Sequence, residues 1–180
     1  MKNKKMPITN IWSKTFQICW VTNDFDHAKD LLKDKFDIPQ FMVMHDLVPI
    51  DQIYEGKATT DCKMTAGWAN GGNFDLELIQ PTGGPILEMY GEQLSKDKFD
   101  MKFHHMGTRF DDDLDGYYQA IEALQSKGFE MKISAGIKDL TKYCYFDMRE
   151  LLGHYLELIY FNQAGVDLMQ TLLTNDFKGE

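Results

Sequence analysis

Cysteine is scarce in this chain, basic residues are outnumbered by acidic ones, and long apolar runs are missing. Each shortage excludes a class of protein. Three cysteines occur in 180 residues, Cys19, Cys62 and Cys144. They are odd in number, widely spaced and without a CxxC pair, so a disulfide framework or a cysteine-ligated zinc site fits poorly, whereas reduced thiols in a cytoplasmic protein fit well. Lys and Arg total 19 against 28 Asp and Glu, a net charge of −9. That balance removes the nonspecific attraction that nucleic acid or an anionic membrane would require, while leaving room for a local basic pocket. No uninterrupted apolar stretch is long enough to span a bilayer, and the basic Met1-Lys2-Asn3-Lys4-Lys5 leads into no apolar signal segment. Phosphate loops are missing too, because Gly71-Gly72 and Gly83-Gly84 match neither GxxxxGK[ST] nor GxGxxG and read as turns. The expectation is a soluble cytoplasmic protein with no nucleic-acid partner and no membrane partner.

What is present is a core and a repeat. At 43% hydrophobic and 13% aromatic residues, the chain can bury an interior as one domain or as two half-size modules sharing one. Phe16-Gln17-Ile18-Cys19-Trp20 is followed by Leu76-Glu77-Leu78-Ile79, and Phe103-His104-His105-Met106 by Leu156-Glu157-Leu158-Ile159. Leu-Glu-Leu-Ile recurs word for word 80 positions apart, and Gln17 and His105 stand 88 apart. A duplicated module whose halves each contribute two ligands to one metal accounts for this pattern.

The elements follow the same division. Residues 1–14 read as a polar N-terminal leader, with Pro7 discouraging an early helix. The first module, 15–81, reads as a strand over 15–22, a helix capped by Asn23 or Asp24 and stopped by Pro39, and strands over 40–45, 59–68 and 74–80. The polar stretch from Pro49 to Gly56 is expected to be a loop that could cover a cavity mouth. Residues 82–101 form a linker with a helix from Ile86 to Leu94. The second module, 102–162, repeats the order: a strand over 102–110, a helix opened by Asp111-Asp112-Asp113 and closed by Gly128, then strands over 129–133, 143–148 and 154–161. Residues 163–180 supply a C-terminal helix and a loose tail. The fold class is therefore α+β, two tandem βαβββ modules forming a cupped mixed sheet around a metal site.

Period two sorts the candidate residues. Gln17, Cys19 and Val21 share one face of the first strand, with Phe16, Ile18 and Trp20 on the other. A lone carboxylate between leucines either faces solvent or binds something, and two in identical words favour binding, since a divalent cation removes the cost of burying them. His104 and His105 are expected on opposite faces, so one alone joins the site. His105 matches Gln17, each lying six positions before the acidic or amide residue that ends the strand. Arg109 shares the face of His105 and suits an anionic substrate or a salt bridge. Met42, Met44, Met64, Met89 and Met106 suggest an adaptable apolar lining.

These positions resemble the vicinal oxygen chelate superfamily, which includes glyoxalase I, methylmalonyl-CoA epimerase, extradiol dioxygenases and the fosfomycin and bleomycin resistance proteins. The resemblance covers about residues 15 to 162. Superfamily ligands lie on the first and last strands of each module, which implies Gln17, Glu77, His105 and Glu157 here. That set is similar to glyoxalase I of the eukaryotic type. Leu76-Glu77-Leu78-Ile79-Gln80-Pro81 and Phe103-His104-His105-Met106-Gly107 look more like the epimerase branch, where His rather than Gln usually stands at the position of Gln17.

The resemblance implies one divalent ion per site (Zn, Ni, Co, Mn or Mg), with Glu157, or secondly Glu77, as the carboxylate base. The expected activity is that of a lyase or isomerase of the glyoxalase/epimerase type, abstracting a proton next to a metal-bound carbonyl oxygen of a small carbonyl or acyl-thioester substrate. A nonenzymatic binding or sequestering protein of the same fold is the alternative. An iron-dependent dioxygenase is disfavoured because it usually needs two His and one carboxylate. A homodimer, including one that exchanges modules between chains, stays open.

Overall fold

The computed structural model describes residues 9–38 and 40–174 of the chain. A short helix, α1 (Thr9–Trp12), precedes β1 (Thr15–Thr22) and α2 (Phe25–Phe36). Asp24 caps α2 by accepting a hydrogen bond from the His27 N–H at 3.1 Å, and Asp37 ends it with a left-handed φ of 55°. The first module continues through β2 (Met42–Leu47), β3 (Ile50–Tyr54), β4 (Lys57–Ala58), β5 (Lys63–Asn70) and β6 (Asp75–Gly83). After α3 (Ile86–Gly91) the second module runs β7 (Met101–Asp111), α4 (Leu114–Gln125), β8 (Met131–Ile137), β9 (Thr141–Asp147), α5 (Arg149–Leu152) and β10 (Tyr155–Phe161), and α6 (Gln163–Thr174) follows. Asp113 caps α4 by accepting from the Gly116 N–H at 2.9 Å. None of the described helices is long and apolar enough to cross a membrane. Pro7 and the tail beyond Thr174 lie outside the described residues.

Ten described strands make one sheet in the order β2-β5-β6-β1-β7-β10-β9-β8-β3-β4. The first strands of the two modules, β1 and β7, meet antiparallel at its centre, and each is flanked in parallel by its own module's last strand, β6 or β10. The sheet is thus mixed. On the convex side Leu76 and Leu78 pack with Phe25, Ala28 and Leu32, while Leu156 and Leu158 pack with Tyr117, Ala120 and Leu124. A fully buried leucine contributes about 1.5–3 kcal/mol. Two per strand fix which face meets the helix, and they turn Glu77 and Glu157 into the concave interior. Ile11 of α1 is buried in the second of these clusters, beside Phe110 and Phe146.

The stretch read as a loop over 49–56 is instead the β3–β4 hairpin, and it pairs on the far edge of the second module. Ile53 and Tyr54 pair with Ser134 and Ile133 of β8, and the Glu55 N–H donates to the Lys132 carbonyl at 2.8 Å. Val48 and Pro49 alone separate β2, at one end of the sheet, from β3 near the other, so the chain itself draws the cup closed. Asp46 and Asp51, each with φ 52°, sit where the β2–β5 and β3–β8 pairings, respectively, are interrupted. Aspartate tolerates that conformation better than most residues. Buried Gln52 clasps the junction: its amide nitrogen donates to the Pro49 carbonyl at 2.6 Å, and its oxygen accepts from the Cys62 N–H at 3.0 Å.

Candidate metal centre

The centre is built on the β1–β7 pair, whose register is interrupted twice. Gln17 pairs with Gly107 and Cys19 with His105, but Phe16 is left over between Thr15 and Gln17, and His104 between Phe103 and His105. Each is one extra residue in its strand, a β-bulge, and bulges re-aim side chains. Phe16 and His104 stand 88 positions apart, as Gln17 and His105 do, so the bulge is duplicated along with the strand.

This corrects two expectations. His104 and His105 do not face opposite sides; the bulge turns both inward, with their Nδ1 atoms 2.9 Å apart. Phe16, expected on the convex face with Ile18 and Trp20, packs against the concave cluster and meets Phe161 edge-on at 6.1 Å.

The four predicted residues come together from one chain. Gln17, Glu77, His105 and Glu157 are 2%, 6%, 0% and 3% exposed. Gln17 Nε2 donates to Glu77 Oε2 at 2.8 Å. His105 Nε2 lies 3.1 Å from Glu77 Oε2 and 3.3 Å from Glu157 Oε2. Both His105 Nε2 and Glu157 Oε2 are nonetheless buried without a hydrogen-bond partner. Buried polar atoms left in that state cost about 1–3 kcal/mol each, which a cation bound among them would remove. Cys19, Glu77 and His105 also each place a donor atom within 4.8 Å of the other two. An amide, two carboxylates and an imidazole are donor types that suit a divalent ion, with Glu157 reaching the group through its approach to His105 Nε2.

Burial disfavours a charged His105, but the Glu157 and Glu77 carboxylates outweigh it and raise the imidazole to about 9. Glu157 is raised above the ordinary carboxylate value by burial; His105 opposes that shift and Glu77 adds to it. Burial, then His105, holds His104 well below the usual histidine value and therefore neutral. Either ring can donate across the 2.9 Å Nδ1–Nδ1 contact; with His105 deprotonated and donating there, its Nε2 lone pair would face the carboxylates, the tautomer a metal ligand requires. His104 itself stacks between Tyr90 at 4.5 Å and Tyr155 at 4.7 Å.

Above the four residues lies an apolar chamber. Met42, Met44, Met64 and Trp68 line one wall, Tyr143, Tyr145 and Ile159 another, with Glu77 and Glu157 among the lining. Of the methionines expected there, Met89 and Met106 are not lining residues, whereas Met169 of α6 is. Leu168 and Gly165 of α6 complete the enclosure, and about 50 Å³ is left free, room for water-sized molecules. Trp68 pairs with Glu77 and Tyr145 with Glu157 at matching register. Sequence reasoning missed this aromatic pair, although each stands on the strand that precedes its glutamate. Tyr90 carried no signal, since α3 delivers it from outside both modules. Arg109 has the salt-bridge role: it donates to Asp111 at 2.7 Å and lies over Phe16 and Phe161. His154 contacts the Tyr155 carbonyl at 2.7 Å and packs against Phe103.

No family model and no curated protein sequence matches the chain. Solved structures do. Methylmalonyl-CoA epimerase from Mycobacterium tuberculosis superposes with a TM-score of 0.55 at 13% identity, covering 86% of this chain and 92% of its own. A variant of the Streptomyces coelicolor methylmalonyl-CoA epimerase, in complex with 2-nitronate-propionyl-CoA, gives a TM-score of 0.47 at 13% identity over 82% of this chain and 96% of that one. The chain thus shares its fold with the Mycobacterium tuberculosis methylmalonyl-CoA epimerase, an α+β arrangement of a curled mixed sheet with helices on its convex side. At this identity the likeness is one of fold, and activity has to be argued from the site.

Proposed function

We propose that the chain is a divalent-metal-dependent enzyme of the glyoxalase/epimerase type, an isomerase or lyase that removes a proton from the carbon beside a carbonyl group. One observation carries this reading: Gln17, Glu77, His105 and Glu157 are buried together, and His105 Nε2 and Glu157 Oε2 have no hydrogen-bond partner. These four would hold Zn, Ni, Co, Mn or Mg, through the Gln17 amide oxygen, the two carboxylates and His105 Nε2. Bound there, the ion would polarise a carbonyl oxygen and stabilise the negative charge left as the proton departs.

The chain's own groups do the rest. Glu157 accepts the proton at a carboxylate oxygen, and burial, by raising it above the ordinary carboxylate value, makes it a stronger base. Glu77 and Glu157 approach His105 Nε2 from the last strands of different modules, at 3.1 and 3.3 Å. A reaction that inverts a centre needs one group to take a proton and another to return it, and this pair provides both. The chamber walls of methionine, aliphatic and aromatic side chains suit an apolar acyl or carbonyl compound, free or thioester-linked, which must displace the flexible methionines or the α6 residues to enter because only about 50 Å³ is free. The epimerase fold supports the isomerase branch. A binding protein built on these modules needs the chamber but not the quartet at its floor.

The test is metal content by elemental mass spectrometry on gently purified protein, wild type beside His105→Ala. The expected result is one divalent ion per chain in the wild type and none in the variant. A wild-type chain that holds no metal even after reconstitution overturns the reading and leaves the sequestering protein in its place. With loaded enzyme in deuterium oxide, the product then separates the two chemistries: an epimerising isomerase yields the inverted compound with deuterium at its α-carbon, and a lyase yields a product in which a further bond has been broken.

A further inference from the structure

The pseudo-symmetry that relates the modules breaks at one position of the centre. The 88-residue offset that carries Gln17 to His105 carries Cys19 to Gly107. The pairings agree: Cys19 lies beside Glu77 of β6, and Gly107 beside Glu157 of β10. In the second module a side chain would be crowded. A Cβ at Gly107 would stand 3.0 Å from Gln17 Cβ and 3.2 Å from Glu157 Oε2. In the first module the same place carries a fully buried thiol, in one row with Glu77 and His105.

We propose that Cys19 is a fifth protein donor to the ion, binding as a thiolate beside Gln17, Glu77, His105 and Glu157. This rests on the metal-dependent reading above and narrows it to an ion that accepts sulfur. Three observations meet here. Donor atoms of Cys19, Glu77 and His105 lie within 4.8 Å of one another. His105 Nε2, a member of that group, and Glu157 Oε2, 3.3 Å from it, are buried without a hydrogen-bond partner. The thiol's own hydrogen bond, to the Trp20 carbonyl at 3.4 Å, is a long one that coordination can replace. On binding, the S–H bond breaks, the sulfur takes the metal and the proton leaves to solvent. Imidazole and carboxylate alone serve Mg and Mn as well as Zn, whereas a thiolate shifts the preference to Zn, Co or Ni.

Cys62 and Cys144 provide internal controls. The Cys62 backbone is clasped by Gln52, and Cys144 is buried on the convex side among Tyr117 and Leu156. The experiment loads the metal-free full chain with Co(II) and records the near-ultraviolet spectrum alongside the visible ligand-field bands. Wild type, Cys62→Ala and Cys144→Ala are expected to show a thiolate-to-cobalt charge-transfer band. Cys19→Ser is expected to bind one cobalt without that band, and to lose at least ~10-fold in Zn(II) affinity, the lower end of what even outer-sphere changes cost, with a smaller loss for Mn(II). One cobalt per wild-type chain with no charge-transfer band, or a band that survives in Cys19→Ser, overturns the role of Cys19 and leaves the four-residue site standing. No cobalt bound by the wild type overturns the metal reading itself, and this inference with it.

Discussion

Gly107→Ala adds one methyl group to the centre of the site and is the most economical perturbation of it. The new Cβ would meet Gln17 Cβ at 3.0 Å, Glu157 Oε2 at 3.2 Å and Phe16 Cε1 at 3.2 Å. Carbon contacts settle at about 3.5–4.0 Å, so each neighbour must retreat by several tenths of an ångström. Gln17 and Glu157 lie on the two strands that flank β7 and so move in opposite directions. Overpacking of this kind costs about 1–3 kcal/mol, and at about 2–4 °C per kcal/mol for a chain of this size the melting temperature falls by up to roughly 12 °C. Spreading two of the proposed donors lowers metal affinity more selectively, by ~10–100-fold on the scale of misoriented ligands. Circular dichroism melts of the metal-free protein and a chelator-competition titration read the two effects separately. Gly91→Ala, where a Cβ meets nothing within 4 Å, is the control. A Gly107→Ala variant that melts and binds metal like the wild type would show that Gln17 and Glu157 do not meet around Gly107, and the proposed site would fall with it.

Three further predictions concern other parts of the chain. Glu157→Gln is expected to abolish turnover of a proven substrate, while the metal-free melting temperature does not fall, because the substitution removes a carboxylate charge that burial disfavours; near-normal turnover would refute its role as base. Gln52→Ala strands the Cys62 N–H and the Pro49 carbonyl inside the closure of the cup and is expected to cost about 1–3 kcal/mol, read as a shift in the urea midpoint; an unchanged midpoint would mean the clasp carries no stability. Arg149 donates to Asp147 at 3.0 and 2.8 Å and holds its carboxyl below the ordinary carboxylate value. Its contribution is complete above the unfolded carboxylate's range and disappears as pH falls through the lower, folded one. Asp147→Asn should therefore flatten the acid limb of the stability curve by under about 1 kcal/mol, and a loss that persisted undiminished at low pH would contradict the assignment.

Local chemistry determined much of this protein before any fold was in view. Period-two alternation located β1 to the residue, and an aspartate cap began α2 where it was expected. Word-for-word repetition of Leu-Glu-Leu-Ile, set against Gln17 and His105, singled out the four polar side chains that the structure brings together, because duplication writes the same register twice. What the sequence could not show depended on strands meeting at a distance. The 49–56 stretch carries no alternation of its own and becomes a hairpin because β8, in the other module, offers an open edge. His104 and Phe16 turn inward because β1 and β7 pair one residue out of step at two points, and a bulge exists only in the pairing of two strands. Cys19, an unremarkable buried thiol in the sequence, acquires its place between Glu77 and His105 from the row of three strands that crosses the floor of the cup. Which residues are polar amid leucines is a property of the chain; which of them touch is decided by how its two halves dock, since that docking alone sets the distances between them.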